Sequence, residues 1–233
     1  MNVGIKKDKF DTVIEKSNIK PKEILDKSNA KKNNAYFIVK RTIDILASFA
    51  ALIVLSPILL IVILAIRCES EGDAIFSQER VGRYGKVFKM YKFRSMVVNA
   101  EEFRDKLEKH NEMDGPMFKI KDDPRVTKVG KFIRKASLDE LPQLVNVLKG
   151  EMTLVGPRPS LPEEVEEFEE WMRARLEVTP GLTCYWQVSG RNDICFEEWM
   201  KLDVKYVKER STWLDIKLIF KTFGVLFGDE HAS

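Results

Sequence analysis

Histidine is almost missing: 233 residues hold two, His110 and His231. Chemistry that runs on an imidazole base or a His-rich metal site is thereby nearly excluded, and any reaction must be carried by carboxylates and cations. Cysteine is scarce as well. Cys68, Cys184 and Cys195 are odd in number and show no C-x-x-C spacing, so neither a disulfide framework nor a zinc site is indicated, and reduced cytosolic thiols are the plain reading. Charge of one sign is lacking too, since 39 Lys and Arg against 36 Asp and Glu leave a formal net charge of +3. With no basic run interleaved with aromatics, nucleic acid is a poor partner. Apolar residues, by contrast, make up 44% of the chain beside 32% charged, so they must be concentrated rather than spread.

They are concentrated between Ile45 and Ile66, where no charged residue occurs. At about 1.5 Å per residue, a straight helix of that length crosses a hydrocarbon core of roughly 30 Å. Ser56-Pro57 interrupts the middle of the run. Pro57 has no N–H and its ring clashes with the carbonyl of Ile53, so a local break is expected, with the Ser56 hydroxyl able to satisfy a freed backbone group. Lys31, Lys32, Lys40 and Arg41 precede the run, and Arg67, Arg80, Arg83, Lys86, Lys89, Lys92 and Arg94 follow it. Cations on both flanks ask for a helix that enters, bends and leaves by one leaflet, against the alternative of a Pro-kinked spanning helix. A signal peptide is disfavoured, because the run lies far from the N-terminus and no small-residue cleavage site follows.

Residues 1–35 are polar and carry no sustained apolar face, which predicts a mobile or weakly helical extension. Ala74 to Val81 and Val87 to Met96 are rich in β-formers around Gly82-Arg83-Tyr84-Gly85-Lys86, a pattern for two strands and a turn. A helix is expected at Ala100 to His110, and another at Ser137 to Leu148, closed by Gly150 and disturbed by Pro142 in its first turn. Ser160-Leu161-Pro162-Glu163 has the spacing of a capping box opening a helix that is basic near Arg173 and Arg175 and ends at Thr179-Pro180-Gly181. Helical stretches at Phe196 to Lys208 and Trp213 to Phe227 place Trp199, Tyr206, Trp213, Phe220, Phe223 and Phe227 beside Lys201, Lys205, Lys217 and Lys221. Aromatics with snorkelling lysines suit a membrane interface, and ordinary core is the competing explanation.

The densest chemical segment is Arg134-Lys135-Ala136-Ser137-Leu138-Asp139-Glu140-Leu141-Pro142-Gln143. Ser137 followed by Glu140 also fits a structural capping box, which alone accounts for acids in a first helical turn. The same geometry has a functional side. A helix N-terminus keeps Asp139 ionised and attracts phosphate, and Arg134 lies just before it as a phosphate partner. An ionised aspartate beside a diphosphate can attack phosphorus, and an adjacent glutamate can hold Mg²⁺, a hard cation suited to carboxylate and phosphate oxygens.

Ser137-Leu138-Asp139-Glu140-Leu141-Pro142-Gln143, Val155-Gly156-Pro157-Arg158-Pro159, Tyr91-Lys92-Phe93-Arg94-Ser95-Met96 and Lys40-Arg41-Thr42-Ile43-Asp44 together resemble the monotopic bacterial phosphoglycosyl transferases, the initiating sugar-phosphate transferases of polysaccharide and glycoprotein assembly. The resemblance runs from about Lys40 to the C-terminus. It implies that Asp139 is the nucleophile taking a sugar phosphate from a UDP-sugar with loss of UMP, that Glu140 with Asp139 supports Mg²⁺, and that undecaprenyl phosphate then attacks the aspartyl phosphosugar. Ser56-Pro57 matches the family's re-entrant helix-break-helix. Arg134, Lys92, Arg94 and Arg158 are the cations expected around the phosphates, with a structural salt bridge as the alternative for each of the last three. The segment Thr179 to Arg191 resembles that of hexose-phosphate members, except that Cys184 stands where glycine is usual, so the sugar stays open.

The resemblance thus implies an α+β, mainly helical chain: a polar extension at 1–35, a re-entrant membrane helix at 36–67, and a cytoplasmic catalytic domain at 68–233 with a small β-hairpin and amphipathic interfacial helices. It would sit on the bacterial inner membrane facing the cytoplasm, as a small member consisting of the catalytic part; a homodimer is left open. Two other readings compete. One is a metal-dependent transferase that passes only the sugar to a lipid, using Asp122-Asp123; the other is a membrane scaffold of an assembly complex, in which Asp139-Glu140 merely caps a helix.

Overall fold

A computed structural model describes residues 34–103, 120, 123–189 and 195–228. Most of the polar extension, the part of the 100–110 stretch beyond Phe103, Asp122, Gly190-Arg191 and the side chain of Phe227 lie outside the described residues. The first element, α1, is a helix of 36 residues, Asn34–Glu69, with Pro57 inside it. A break at Ser56-Pro57 was expected; the helix instead runs on through it. The physical reason lies in the hydroxyl, because Ser56 Oγ donates to the Ile53 carbonyl at 2.8 Å, the acceptor that Pro57 cannot serve. Among the described residues this is the one helix long and apolar enough to cross a membrane. Leu46, Phe49, Ile53, Val54, Leu60, Ile61 and Leu64 are all exposed.

Both ends of α1 are fastened to the remainder of the chain. At the N-terminal end, Arg41 Nη1 and Nη2 donate to the carbonyls of Val147 and Leu148 at 2.6 and 2.7 Å, capping the last turn of helix α3 (Gln143–Lys149). Asp44 accepts from Thr153 Oγ1 at 2.7 Å and from the Leu154 amide at 3.0 Å, and Lys40 pairs with Asp215 at 2.8 Å. At the C-terminal end, Val62 and Ile66 bury against Ala74, Phe93 and Ile133. Glu69 accepts from the amides of Lys128 and Val129, at the first turn of helix α2 (Lys128–Lys135), where a carboxylate suits both the free amides and the dipole.

Strands β1 (Ile75–Val81) and β2 (Val87–Phe93) form the expected antiparallel hairpin, in register from Ile75 opposite Phe93 to Val81 opposite Val87. Asn146, fully buried on α3, locks that helix to β2 by accepting from the Tyr91 amide and donating to the Lys89 carbonyl. Beyond α3, β3 (Thr153–Val155) pairs in parallel with β4 (Gly181–Thr183). A Cβ on Gly181 would lie 2.2 Å from the Gly156 amide nitrogen, so that crossing requires glycine.

The helix expected after Ser160 is shorter than its pattern. Helix α4 covers Pro162–Glu166, and a 3₁₀ stretch follows at Met172–Glu177. Its cap is displaced by one residue: Glu164, not Glu163, accepts from the Leu161 amide at 2.8 Å, because the Ser160 hydroxyl is taken by Arg175. The last helices, α5 (Phe196–Glu209) and α6 (Thr212–Gly228), match the expected pair. Their aromatic stripe divides. Trp199 and Tyr206 are buried in the core, while Trp213, Phe220 and Phe223 are exposed; the interfacial reading therefore does not extend to the first two.

Candidate active site

Helix α2 ends at Lys135, and Ser137 then adopts the left-handed region at φ 53° with no side-chain cap bond. The expected capping box between Ser137 and Glu140 is therefore absent. Leu138–Glu140 form a single 3₁₀ turn, anchored as Leu138 packs on the Phe93–Ile133 cluster. The regular helix begins only at Gln143, after Pro142, whose fixed φ suits the start of a helix rather than its interior. Asp139 and Glu140 thus sit on a tight turn between two helices rather than on a helical face.

Glu140 Oε1 accepts from Arg158 Nη2 at 2.6 Å and from Lys92 Nζ at 3.4 Å. All three side chains are partly shielded, at 27% exposure for Glu140, 24% for Arg158 and 20% for Lys92. Burial alone would raise the Glu140 carboxyl, but Arg158 and Lys92 together hold it well below the usual carboxylate range. Burial pushes the Lys92 ammonium down to about 8, Arg158 adds to that, and Glu140 opposes it. Asp139 moves the opposite way. Its carboxyl is raised, first by burial and then by the negative charge of Glu140, against the pull of Lys92, Arg134 and Arg158. Among the described residues no side chain donates a hydrogen bond to it.

Arg134 donates through Nε to Ser95 Oγ at 2.8 Å and feels the charge of Asp139, although burial lowers its own pKa. Ser95 is held in turn by the close approach of α2: a Cβ on Gly130 would lie 2.0 Å from the Ser95 carbonyl oxygen. Three expected cations, Lys92, Arg134 and Arg158, are therefore gathered at the acidic pair. Arg94 is engaged elsewhere, donating to the Ser70 and Glu71 carbonyls at 2.8 and 2.9 Å, where it ties down the chain leaving α1.

Arg80 was missed by the sequence reading. It donates to the Pro159 carbonyl at 3.2 Å and to Gln78 Oε1 at 2.7 Å, and burial pushes its guanidinium down to about 10, with Glu164 opposing. The strand period could have found it. In the hairpin register, cross-strand partners share a face, and that puts Arg80, Gln78 and Lys92 on the same side.

Of the competing metal pair, Asp122 lies outside the described residues. Asp123 is buried and held by Arg125, whose Nε and Nη2 reach its two oxygens at 2.9 and 2.6 Å, so its lone pairs are committed. Among the described residues, no group of three or more His, Cys, Asp or Glu side chains could hold a metal by itself. Glu140 takes both cations on Oε1, leaving Oε2, and Asp139 accepts from no side chain among the described residues, so the two carboxylates would fit Mg²⁺ of the kind completed by substrate phosphate oxygens and water. The site is then a carboxylate without a hydrogen-bond donor beside one neutralised by two cations, with further guanidinium groups in reach. Such an arrangement can position a phosphate group and offer it a carboxylate nucleophile.

Comparison with known proteins agrees on the segment involved. The profile described as "Bacterial sugar transferase" matches residues 35–229. The chain is 50% identical over 193 residues to "Galactosyl transferase CpsE" of Streptococcus agalactiae, covering 82% of this chain and 43% of that protein. It is 45% identical over 212 residues to "Undecaprenyl-phosphate galactose phosphotransferase" of Salmonella typhimurium, covering 88% of this chain and 44% of that one. "Exopolysaccharide production protein ExoY" of Sinorhizobium fredii is 41% identical over 189 residues, covering 79% and 84% respectively. The chain thus spans less than half the length of the first two relatives and most of the third.

Proposed function

The chain belongs to the bacterial sugar transferase family, and from that premise we propose that it moves a sugar 1-phosphate from a UDP-sugar to undecaprenyl phosphate, as the first step of polysaccharide or glycoconjugate assembly. The observation that carries this reading is the Asp139-Glu140 turn, with Arg158 and Lys92 bound to Glu140 and, among the described residues, no side chain bound to Asp139. Asp139 Oδ attacks the phosphorus bearing the sugar, and the bond from that phosphorus to UMP breaks, so UMP departs. A phosphate oxygen of undecaprenyl phosphate then attacks the same phosphorus, the bond to Asp139 breaks, and the carboxylate is restored. Lys92, Arg134 and Arg158 orient the phosphate oxygens and offset the charge that develops on them. Asp139 and Glu140 would hold Mg²⁺, which would supply Lewis-acid polarisation of phosphoryl oxygens.

The same reading keeps both flanks of α1 on the cytoplasmic side of the inner membrane. Its support is that Arg41 and Asp44 before the apolar run, and Ile66 and Glu69 after it, are bound by one folded body. A helix crossing the bilayer would carry those two ends to opposite faces.

The test is product analysis on the purified chain with Mg²⁺, undecaprenyl phosphate and a series of UDP-sugars, UDP-galactose first because the Salmonella relative is named for galactose. Release of UMP is expected. Release of UDP would mean transfer of the sugar alone, and no release from any UDP-sugar would leave the chain a scaffold.

A further inference from the structure

Four consecutive carbonyls after β3 are each held by a different donor. Pro157 O accepts from the Gly181 amide at 2.9 Å and Ser160 O from the Val81 amide at 2.9 Å. Pro159 O accepts from Arg80 at 3.2 Å. The carbonyl of Arg158 itself accepts from Arg175 Nη2 at 2.6 Å. Two of these residues are prolines with no amide to give, so the segment is fixed through its acceptors, and Arg158 is the residue whose guanidinium reaches Glu140.

Arg175 differs from the other donors in what has been spent to place it. Its side chain is 1% exposed and that of its partner Asp203, on α5, is 0% exposed. Nε and Nη2 grip one oxygen of Asp203 at 3.0 and 2.7 Å, and Nη1 donates to the buried Ser160 hydroxyl. The rings of Phe168 and Trp199 lie against the guanidinium at 5.4 and 5.8 Å. Every nitrogen of the fork is engaged. A pair of charges this deep is weak evidence for stability, because apolar residues of like volume commonly do as well, and the documented use of such pairs is to fix one geometry. Here the geometry fixed is that of Arg158 O and Ser160 Oγ.

We propose that Arg175 is a positioning residue of the active site, clamped by Asp203 and holding the Arg158 main chain so that the Arg158 guanidinium is presented to Glu140. Lysine at this position keeps the charge opposite Asp203 but, with one nitrogen, cannot grip Asp203, Arg158 O and Ser160 Oγ together. The inference rests on the proposed reaction for its rate readout and on the contact of Arg158 with Glu140 alone for a second one.

In Arg175→Lys, UMP release is expected to slow about tenfold in the wild-type background and by no more than about twofold in Arg158→Ala, because the clamp then has nothing to aim. The same factor in both backgrounds would overturn the proposal and leave Arg175 a residue of the fold. Should Arg175→Lys fail to fold, Ser160→Ala removes one leg of the clamp and must show the same dependence on background. Independently of any substrate, the nitrogen-15 resonances of the Arg158 guanidinium, held in the wild type by its 2.6 Å contact with Glu140, should average in Arg175→Lys as that contact loosens. An unchanged Arg158 guanidinium in a folded variant refutes the proposal, whereas a wild-type chain that releases no nucleotide refutes the proposed function instead.

Discussion

Burial acts on both carboxyls of the acidic pair in one direction, and what separates them is the 2.6 Å contact of Arg158 with Glu140. Glu140 stays ionised through any physiological pH. In the proposed mechanism Asp139 must lose its proton before it attacks, and its pKa is raised, so kcat/KM should fall on the acid side at a pH above the ordinary aspartate value of about 3.9. On the alkaline side, Lys92 loses its charge near 8, and a second limb is expected there. In Glu140→Gln the residual rate should show its acid limb displaced to lower pH, since the charge that helped raise Asp139 has gone; a limb that stays put would remove the coupling. Asp139→Asn should abolish turnover while preserving the fold. A rate within about tenfold of wild type, roughly 1.4 kcal/mol in the barrier, would exclude Asp139 as the nucleophile.

At the scale of elements, the close contact of α2 with the chain after β2 sets where Arg134 and Ser95 meet. Gly130→Ala puts a methyl 2.0 Å from a backbone carbonyl, so helix and strand end must separate. The expected cost is about 1–3 kcal/mol, read as a lower urea midpoint, with a loss of activity through Arg134. The hairpin and the last two helices were legible because their periods of 2 and 3.6 are local properties of the chain. The acidic turn was not. Ser137 and Glu140 have the spacing of a capping box, but the left-handed backbone at Ser137 and the pull of Arg158, 18 residues away, decided the geometry, and neither is written in the local pattern. Arg94 and Arg158 looked equivalent in sequence for the same reason. The structure separates them by what surrounds each guanidinium: carbonyls of the chain leaving α1 in one case, a carboxylate in the other.

For the molecule as a whole, the governing question is which side of the bilayer each end of α1 meets. A single cysteine at Asn34, in a chain whose exposed Cys68 and Cys195 have been replaced, should react with an impermeant reagent only when the cytoplasmic face is open to it. Labelling in intact spheroplasts would establish a crossing. Replacing Pro57 by Leu and Ser56 by Ala should favour a straight span, and the transfer to the long-chain acceptor should then fall more than UMP release in the first half-reaction. Unchanged topology and activities would make Ser56-Pro57 an incidental kink.

The fastenings of α1 also fix an order of events in time. Arg41 reaches a carbonyl 106 positions later, Asp44 a hydroxyl 109 later, and Lys40 a carboxylate 175 later. At a synthesis rate of about 5–20 residues per second, the last of these partners emerges roughly 9–35 s after Lys40. Until Ala74, Phe93 and Ile133 follow it, and Thr153 and Asp215 after them, the helix lacks these partners in its own chain, and hydrocarbon is the sink open to it. On the proposed membrane placement, the bilayer is therefore expected to receive α1 before the body that holds Asp139 is complete. A chain synthesised without membrane should then aggregate through α1 before Asp215 exists to hold it, and a soluble, folded product would refute that order.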